Sequence, residues 1–296
     1  MTSPIYRGRF APSPTGPLHF GSLVTALASY LEAHSRQGHW LVRIEDLDPL
    51  RESPEATDRI LNSLQGHQLH PDGTVRYQSE RLEVYRHHAE RLVEQGRAYY
   101  CACSRKELAA NNGRHPWHCR DGDKPPTGRP VAIRFALHAE EARWQDRILG
   151  EQHQQVRAEL DDPVIIRKEG FVAYQLAVVV DDIDQGITEI VRGSDLLETT
   201  AQQRQICLAL GGTPPQWAHI PVVLNEQGQK LSKQNHAPAL DDEQPGRNLW
   251  RALGALGQQP EEDLAAAPPQ RVLEWALEHW SMAGIPHQST MDSATH

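Results

Sequence analysis

The sequence predicts an α/β fold built on a parallel sheet. Three observations carry that reading: a strand–turn–helix–strand unit opens the chain, apolar runs of strand length return after residue 130, and 39% hydrophobic residues among 296 can build a sizeable core. Residues 7–10 read as a short strand, and the Pro- and Gly-rich stretch 11–21 leads into a helix over 22–35. There Leu23, Leu27, Tyr30 and Leu31 fall at i, i+4, i+7 and i+8, one apolar helix face, with Ser22 as the expected N-cap. Residues 39–45 (HWLVRIE) form the next strand through Leu41, Val42 and Ile44. A right-handed crossover between two such strands makes them parallel and puts a ligand site beyond their carboxyl ends, where the turn 11–21 lies.

Helices are expected over 54–65 and 82–95, followed by a cysteine-bearing segment from Tyr99 to the Pro/Gly-rich DGDKPPTGRP. After it, 131–135, 164–167 and 171–180 read as strands, and a helix over 199–210 and an apolar stretch over 220–224 return the chain to the core. Two helical patterns, 248–256 and 270–280, precede a polar tail from Ser281 that is expected to be poorly ordered. The expected organisation is a first half of the core in 1–98, an insertion in 99–170, a second half in 171–240, and a short helical C-terminal region in 241–296.

A net charge of −9 argues against holding nucleic acid through overall charge and leaves only a local basic stripe for that purpose. The N-terminus lacks a signal-like apolar run, and no long uncharged apolar stretch follows, so a soluble cytoplasmic protein is expected. Of four cysteines, Cys101, Cys103 and Cys119 cluster with histidines, a pattern of metal ligation more than of a secreted disulfide framework. Cys207 is expected as a buried apolar residue on a helix.

The most informative segment is RFAPSPTGPLHFGS. It places His19 and Gly21 where a strand gives way to a helix N-terminus, whose free N–H groups and positive dipole end suit a polyphosphate. Taken alone it also fits a Pro/Gly loop with a surface histidine. The second segment runs from Gly228 through Lys230, Leu231 and Ser232 to Lys233. Its two lysines can neutralise charge that builds on ATP phosphates as pyrophosphate leaves, although a solvated basic turn looks the same. The pair is far more specific than either member.

Together the two segments resemble the signatures of the class I aminoacyl-tRNA synthetases, which end His-Ile-Gly-His and read Lys-Met-Ser-Lys-Ser. RIEDLD at 43–48 and VRGSD around Arg192 resemble the glutamyl-tRNA synthetase branch. Ser22 stands in place of the last histidine of the first signature, and Gln234 in place of the last serine of the second. The resemblance covers about residues 5–240 and implies a Rossmann-like class I synthetase core that activates glutamate as an acyl-adenylate. It implies catalytic roles for His19, Gly21, Lys230 and Lys233, and ATP contacts from His19, Gly21, Ser22 and Lys233, with Mg2+ accompanying the phosphates. For L-glutamate it implies Arg9, Ala11, Ser13, Glu45, Tyr174 and Arg192. The chemistry agrees, since arginines pair with carboxylates, Glu45 with the ammonium, and Tyr174 offers a hydroxyl.

Some sixty residues after 240 leave no room for the helical anticodon-binding region of a full glutamyl-tRNA synthetase. That shortening matches the glutamyl-Q tRNA(Asp) synthetases, free-standing cores that glutamylate the queuosine base in the anticodon loop of tRNA(Asp). The expected partners are then ATP, L-glutamate and queuosine-bearing tRNA(Asp), without membrane or DNA. The competing readings are a shortened glutamyl-tRNA synthetase charging tRNA(Glu), a catalytically silent nucleotide- or RNA-binding module, and a nucleotidyltransferase acting on a small acid without RNA. In the insertion, Cys101, Cys103 and Cys119 with either His115 or His118 would close a tetrahedral zinc site of structural role, one per chain. The family resemblance supports His115 as the fourth ligand.

Overall fold

The computed structural model describes residues 5–48, 50–116, 118–121, 128–224, 229–230 and 238–292. The opening unit is β1 (Arg7–Phe10), α1 (Phe20–Ser35) and β2 (His39–Ile44), and its two strands pair in parallel with Arg7 opposite His39 and Phe10 opposite Val42. The start of α1 differs from expectation. Ser22 lies inside the first turn, and the N-cap is His19, whose backbone is extended (φ −113°, ψ 170°) and whose Nδ1 accepts the Ser22 N–H at 3.2 Å. An imidazole nitrogen thus does the work usually given to a hydroxyl.

α2 (Pro54–Gly66) is capped by Ser53 with proline at its first position, and β3 (Arg76–Tyr77) extends the parallel sheet beyond β2. After α3 (Leu82–Glu94) come β4 (Ala98–Cys101), α4 (Arg105–Ala110), β5 (Ala132–Phe135), β6 (Glu140–Asp146), β7 (Gly150–Val156) and β8 (Val164–Ile166). β4, β5 and β8 form an antiparallel sheet, while β6 and β7 form a hairpin that the sequence reading did not place. The inward residues of β6 are Ala142, Trp144 and Asp146, so a buried charge interrupts the alternation, and β7 is polar up to Val156.

The run 171–180, expected as a strand, belongs instead mostly to helix α5 (Tyr174–Asp184). Leu176, Ala177, Val178, Val179 and Val180 are all buried, and a helix covered on every side carries the same unbroken apolar run as a covered strand. β9 (Glu189–Gly193), α6 (Thr200–Ala209), β10 (Gln216–Ile220) and β11 (Val222–Leu224) follow, then α7 (Pro245–Ala255) and α8 (Pro269–His279). The tail, expected to be poorly ordered, contributes β12 (Thr290–Asp292), which pairs in parallel with β11 and buries Met291.

β10 lies between β9 and β6, parallel to both, and β9 runs beside β1, tied by the Thr188 N–H to the Arg7 carbonyl at 2.9 Å. Alternate strand residues face opposite ways. Trp40, Val42, Ile44, Val191 and Ala218 join one core with α1, α7 and α8, whereas Ile190 and Trp217 join a second with α3, α5 and α6. Helices therefore cover both faces, which leaves the carboxyl edge of the sheet as the place for a ligand. Among the described residues, no helix is long and apolar enough to cross a membrane.

Candidate active site and metal-binding cluster

A cavity of about 690 Å³ opens at that edge, beyond the ends of β1, β2 and β9 and the starts of α1 and α5. Its walls bring together Arg9, Ala11, Ser13, His19, Gly21, Ser22, Glu45, Tyr174, Arg192 and Lys230. Gly228, Ser232, Lys233 and Gln234 lie outside the described residues.

On the α1 side, the His19 ring lies against the first turn, with Nε2 3.0 Å from Ser22 Oγ. A Cβ on Gly21 would stand 3.3 Å from two atoms of that ring, so a side chain there would require the imidazole to give by a few tenths of an ångström. The Lys230 ammonium meets Asp195 Oδ2 at 2.6 Å. The chain beyond the lysine segment is stitched back to this turn, since Leu240 N–H donates to the Leu18 carbonyl at 3.0 Å and Ala239 bridges His19.

On the opposite side the charges are unequally satisfied. Arg9 is already paired with Asp182, through Nε at 3.1 Å and a terminal nitrogen at 3.2 Å. Asp182 also receives Arg43 at 2.9 Å; burial would raise its carboxyl, but the two guanidiniums hold it below the usual carboxylate range. Glu45 is less well served. Its Oε1 is buried 3.5 Å from an Arg43 terminal nitrogen but accepts no hydrogen bond among the described residues, and burial pushes the carboxyl up to about 7 against the pull of Arg43 and Arg9.

Arg192 is buried, and among the described residues all its hydrogen bonds go to neutral groups: Nε to His219 Nε2 at 3.0 Å, one terminal nitrogen to Gln203 Oε1 at 2.6 Å, the other to Thr200 Oγ1 at 2.9 Å, the Leu196 carbonyl at 3.2 Å and Thr199 Oγ1 at 3.4 Å. Burial lowers its pKa from the ordinary guanidinium value. A buried guanidinium whose hydrogen-bond partners among the described residues are all neutral, and a buried carboxylate oxygen that accepts no hydrogen bond among them, are complementary, in one cavity, to a ligand carrying both a carboxylate and an ammonium group. The sequence reading missed Asp182, Gln203, Thr200 and His219, which hold the two arginines. The signal for Asp182 was its place in VVVDDID, where an aspartate inside an apolar run needs a buried partner.

In the insertion, β4 ends at Cys101, and Cys103 precedes α4, whose N-cap Ser104 forms a capping box with Glu107. Cys101 Sγ lies 3.3 Å from His115 Nδ1, Cys103 Sγ lies 3.5 Å from Cys119 Sγ, and all four donors fall within 4.8 Å of one another in a buried cluster. Thiolates on a tetrahedral zinc ion stand about 3.7 Å apart, so the set fits such an ion. Burial would raise the Cys101 thiol, but His115 and the Cys103 backbone bring it down to about 6, toward the ligating thiolate. His118 is exposed and lies outside this cluster.

The layered fold, the carboxyl-edge cavity and the histidine-capped helix define a nucleotide-dependent ligase core. The chain belongs to the tRNA synthetases class I (E and Q), catalytic domain, a family whose model matches residues 6–264. It is 47% identical to the glutamyl-Q tRNA(Asp) synthetase of Chromobacterium violaceum over 97% of each chain, and 47% identical to that of Pseudomonas aeruginosa over 98% of each. The one from Escherichia coli is 44% identical over 99% of this chain and 94% of its own. Among solved structures, a glutamate tRNA ligase from Elizabethkingia meningosepticum in complex with its amino acid has the same fold. It aligns with a TM-score of 0.79 at 24% identity, over 98% of this chain and 67% of that one.

Proposed function

We propose that the chain activates L-glutamate with ATP, without any tRNA, and passes the glutamyl group to the queuosine base in the anticodon loop of tRNA(Asp), acting in the cytoplasm. The observation that carries the first half is the Arg192 guanidinium, hydrogen-bonded among the described residues to neutral groups alone, lining the same cavity as the Glu45 oxygen that accepts no hydrogen bond among them. In this reading Glu45 takes the ammonium, Arg192 and the remaining donors of Arg9 take carboxylate oxygens, and Ala11, Ser13 and Tyr174 line the amino acid. An oxygen of the α-carboxylate attacks the α-phosphorus of ATP, the bond to the β-phosphate bridge breaks, and pyrophosphate leaves. His19, Gly21 and Ser22 receive the nucleotide at the start of α1, and Lys230 with Lys233 offset charge on the departing phosphates. Mg2+ would neutralise phosphate oxygens through the substrate and water. A hydroxyl of the modified base then attacks the acyl carbon, and AMP leaves.

The test is exchange of labelled pyrophosphate into ATP without tRNA. Exchange should depend on glutamate and fall at least about tenfold with glutamine, whose amide leaves the guanidinium unpaired. The glutamate KM should also follow Glu45. Its folded-state pKa is raised to about 7, the ammonium needs the ionised form, and so KM falls as pH rises through about 7 and climbs as pH drops below it. Exchange that requires tRNA, or equal exchange with glutamine, would sink the assignment.

For the cysteine cluster we propose one structural zinc per chain, held by Cys101, Cys103, His115 and Cys119. Metal analysis of protein purified without chelator should give about one equivalent, and Cys103→Ser should lose zinc and melt earlier, because a closed site contributes directly to folding free energy. Glutamate-dependent exchange should persist in the fraction that stays folded. Less than about half an equivalent of zinc in the unaltered protein would contradict this.

A further inference from the structure

Asp146, at the end of β6, and His219, next to last in β10, are both completely buried in side chain and belong to no set of expected ligand contacts. Asp146 Oδ1 accepts three backbone N–H groups, from Ile148 at 3.0 Å, Leu149 at 2.9 Å and His219 at 3.1 Å. Its Oδ2 lies 2.5 Å from His219 Nδ1. A carboxylate at that distance requires the proton on Nδ1, so Nε2 presents a lone pair. That lone pair faces the Arg192 Nε–H at 3.0 Å. The opposite tautomer would set an N–H against an N–H. A doubly protonated ring would set a second buried cation against the first, and burial together with Arg192 holds His219 below its ordinary pKa despite Asp146.

The consequence for Arg192 is orientation. Its guanidinium is planar, and Nε to His219, one terminal nitrogen to Gln203 and the other to Thr200 and the Leu196 carbonyl fix that plane from three sides. Among the described residues, one hydrogen of the terminal nitrogen that donates to Gln203 has no acceptor, on a side chain that lines the cavity. A rigid, oriented donor discriminates between a carboxylate and its neutral amide better than a swinging one, because it cannot retreat to another acceptor.

We propose that Asp146 and His219 are positioning residues of the glutamate site: Asp146 fixes the Nδ1–H tautomer of His219, whose Nε2 lone pair holds Arg192 aimed at a substrate carboxylate. The inference rests on reading the cavity as a glutamate site. It gives the β6–β7 hairpin a function, because that hairpin carries Asp146 beside β10 in the same sheet, in register with Trp217.

The discriminating variant is Asp146→Asn. The amide keeps an oxygen for the three backbone donors, so the turn after β6 survives, but its NH2 replaces the acceptor at His219 Nδ1. The histidine then carries its proton on Nε2 and faces Arg192 donor to donor, the logic by which a wrong tautomer disables a buried histidine. In pyrophosphate exchange the glutamate KM should rise at least about tenfold, while the ATP KM and the rate at saturating glutamate change less than about twofold. Nitrogen-15 shifts of His219 should report the change from Nδ1–H to Nε2–H. His219→Gln, which keeps an acceptor for Arg192 and an N–H for Asp146, should restore most of the glutamate affinity that His219→Phe loses. Wild-type exchange with an unchanged glutamate KM in Asp146→Asn, or a raised KM with the tautomer unmoved, would overturn this inference alone. Absence of glutamate-dependent exchange in the wild type would overturn the underlying reading and the inference with it.

Discussion

Replacing Arg192 by leucine should lower kcat/KM for glutamate by about two to three orders of magnitude, while the melting point of the ligand-free protein moves by only a few degrees. The first expectation follows from pairing. A carboxylate brought into a buried cavity without its guanidinium is an unpaired charge, and breaking such a pair from one side costs about 3–5 kcal/mol. The second follows from the ligand-free state, in which Arg192 has only neutral partners. Its removal relieves the desolvation of a cation, and this offsets the acceptors left without donors on His219, Gln203 and Leu196. Glutamate should therefore raise the melting point of the wild type and leave that of Arg192→Leu unmoved, since a ligand stabilises only the state that binds it. A variant with wild-type kcat/KM would place the substrate carboxylate elsewhere, with Arg9 the next candidate. The same substitution at Arg9 should be more damaging to the fold, because it strands the buried Asp182 beside Arg43 alone.

The parts of the molecule that sequence made legible are those where one local signal has one cause. The period of Leu23, Leu27 and Leu31 gives α1, and Gly21 in its first turn leaves room for the His19 ring. RIEDLD points to Glu45 through its resemblance to the glutamyl-tRNA synthetase branch, and the apolar strand before it sets that residue just beyond the end of β2. What stayed hidden depends on tertiary context. Whether VVV is strand or helix is decided by what covers it, and α5 is covered on all sides. Asp146 reads as one acid in a polar hairpin until β10 brings His219 to it, and His219 reads as one more histidine among sixteen. Arg9 and Arg192 look equivalent in sequence. Only the structure shows that Asp182 pairs with Arg9, while the described hydrogen-bond partners of Arg192 are neutral.

Labelled glutamate should pass from this protein to tRNA(Asp) that carries queuosine, and neither to tRNA(Asp) lacking the modification nor to tRNA(Glu). The proposal draws on relatives named for that acceptor, which match this chain over 97% and 98% of both lengths. The chemistry makes the expected difference close to all-or-none, because an acyl-adenylate yields an ester only where a hydroxyl reaches it, and in this reading the modified base supplies that hydroxyl. A base in an anticodon loop can leave its neighbours and enter a cavity, where stacking and edge hydrogen bonds read it, as proteins usually read single-stranded RNA loops. The net charge of −9 agrees with a small, local RNA footprint, and transfer at subsaturating tRNA should weaken with salt in proportion to the few phosphates held. Cleavage of the labelled tRNA into fragments should place the glutamate in the anticodon stem-loop. Label at the acceptor end, labelling of tRNA(Glu), or equal labelling of tRNA(Asp) from cells able and unable to make queuosine would assign the protein to the terminal adenosine instead, with the glutamate pocket unchanged.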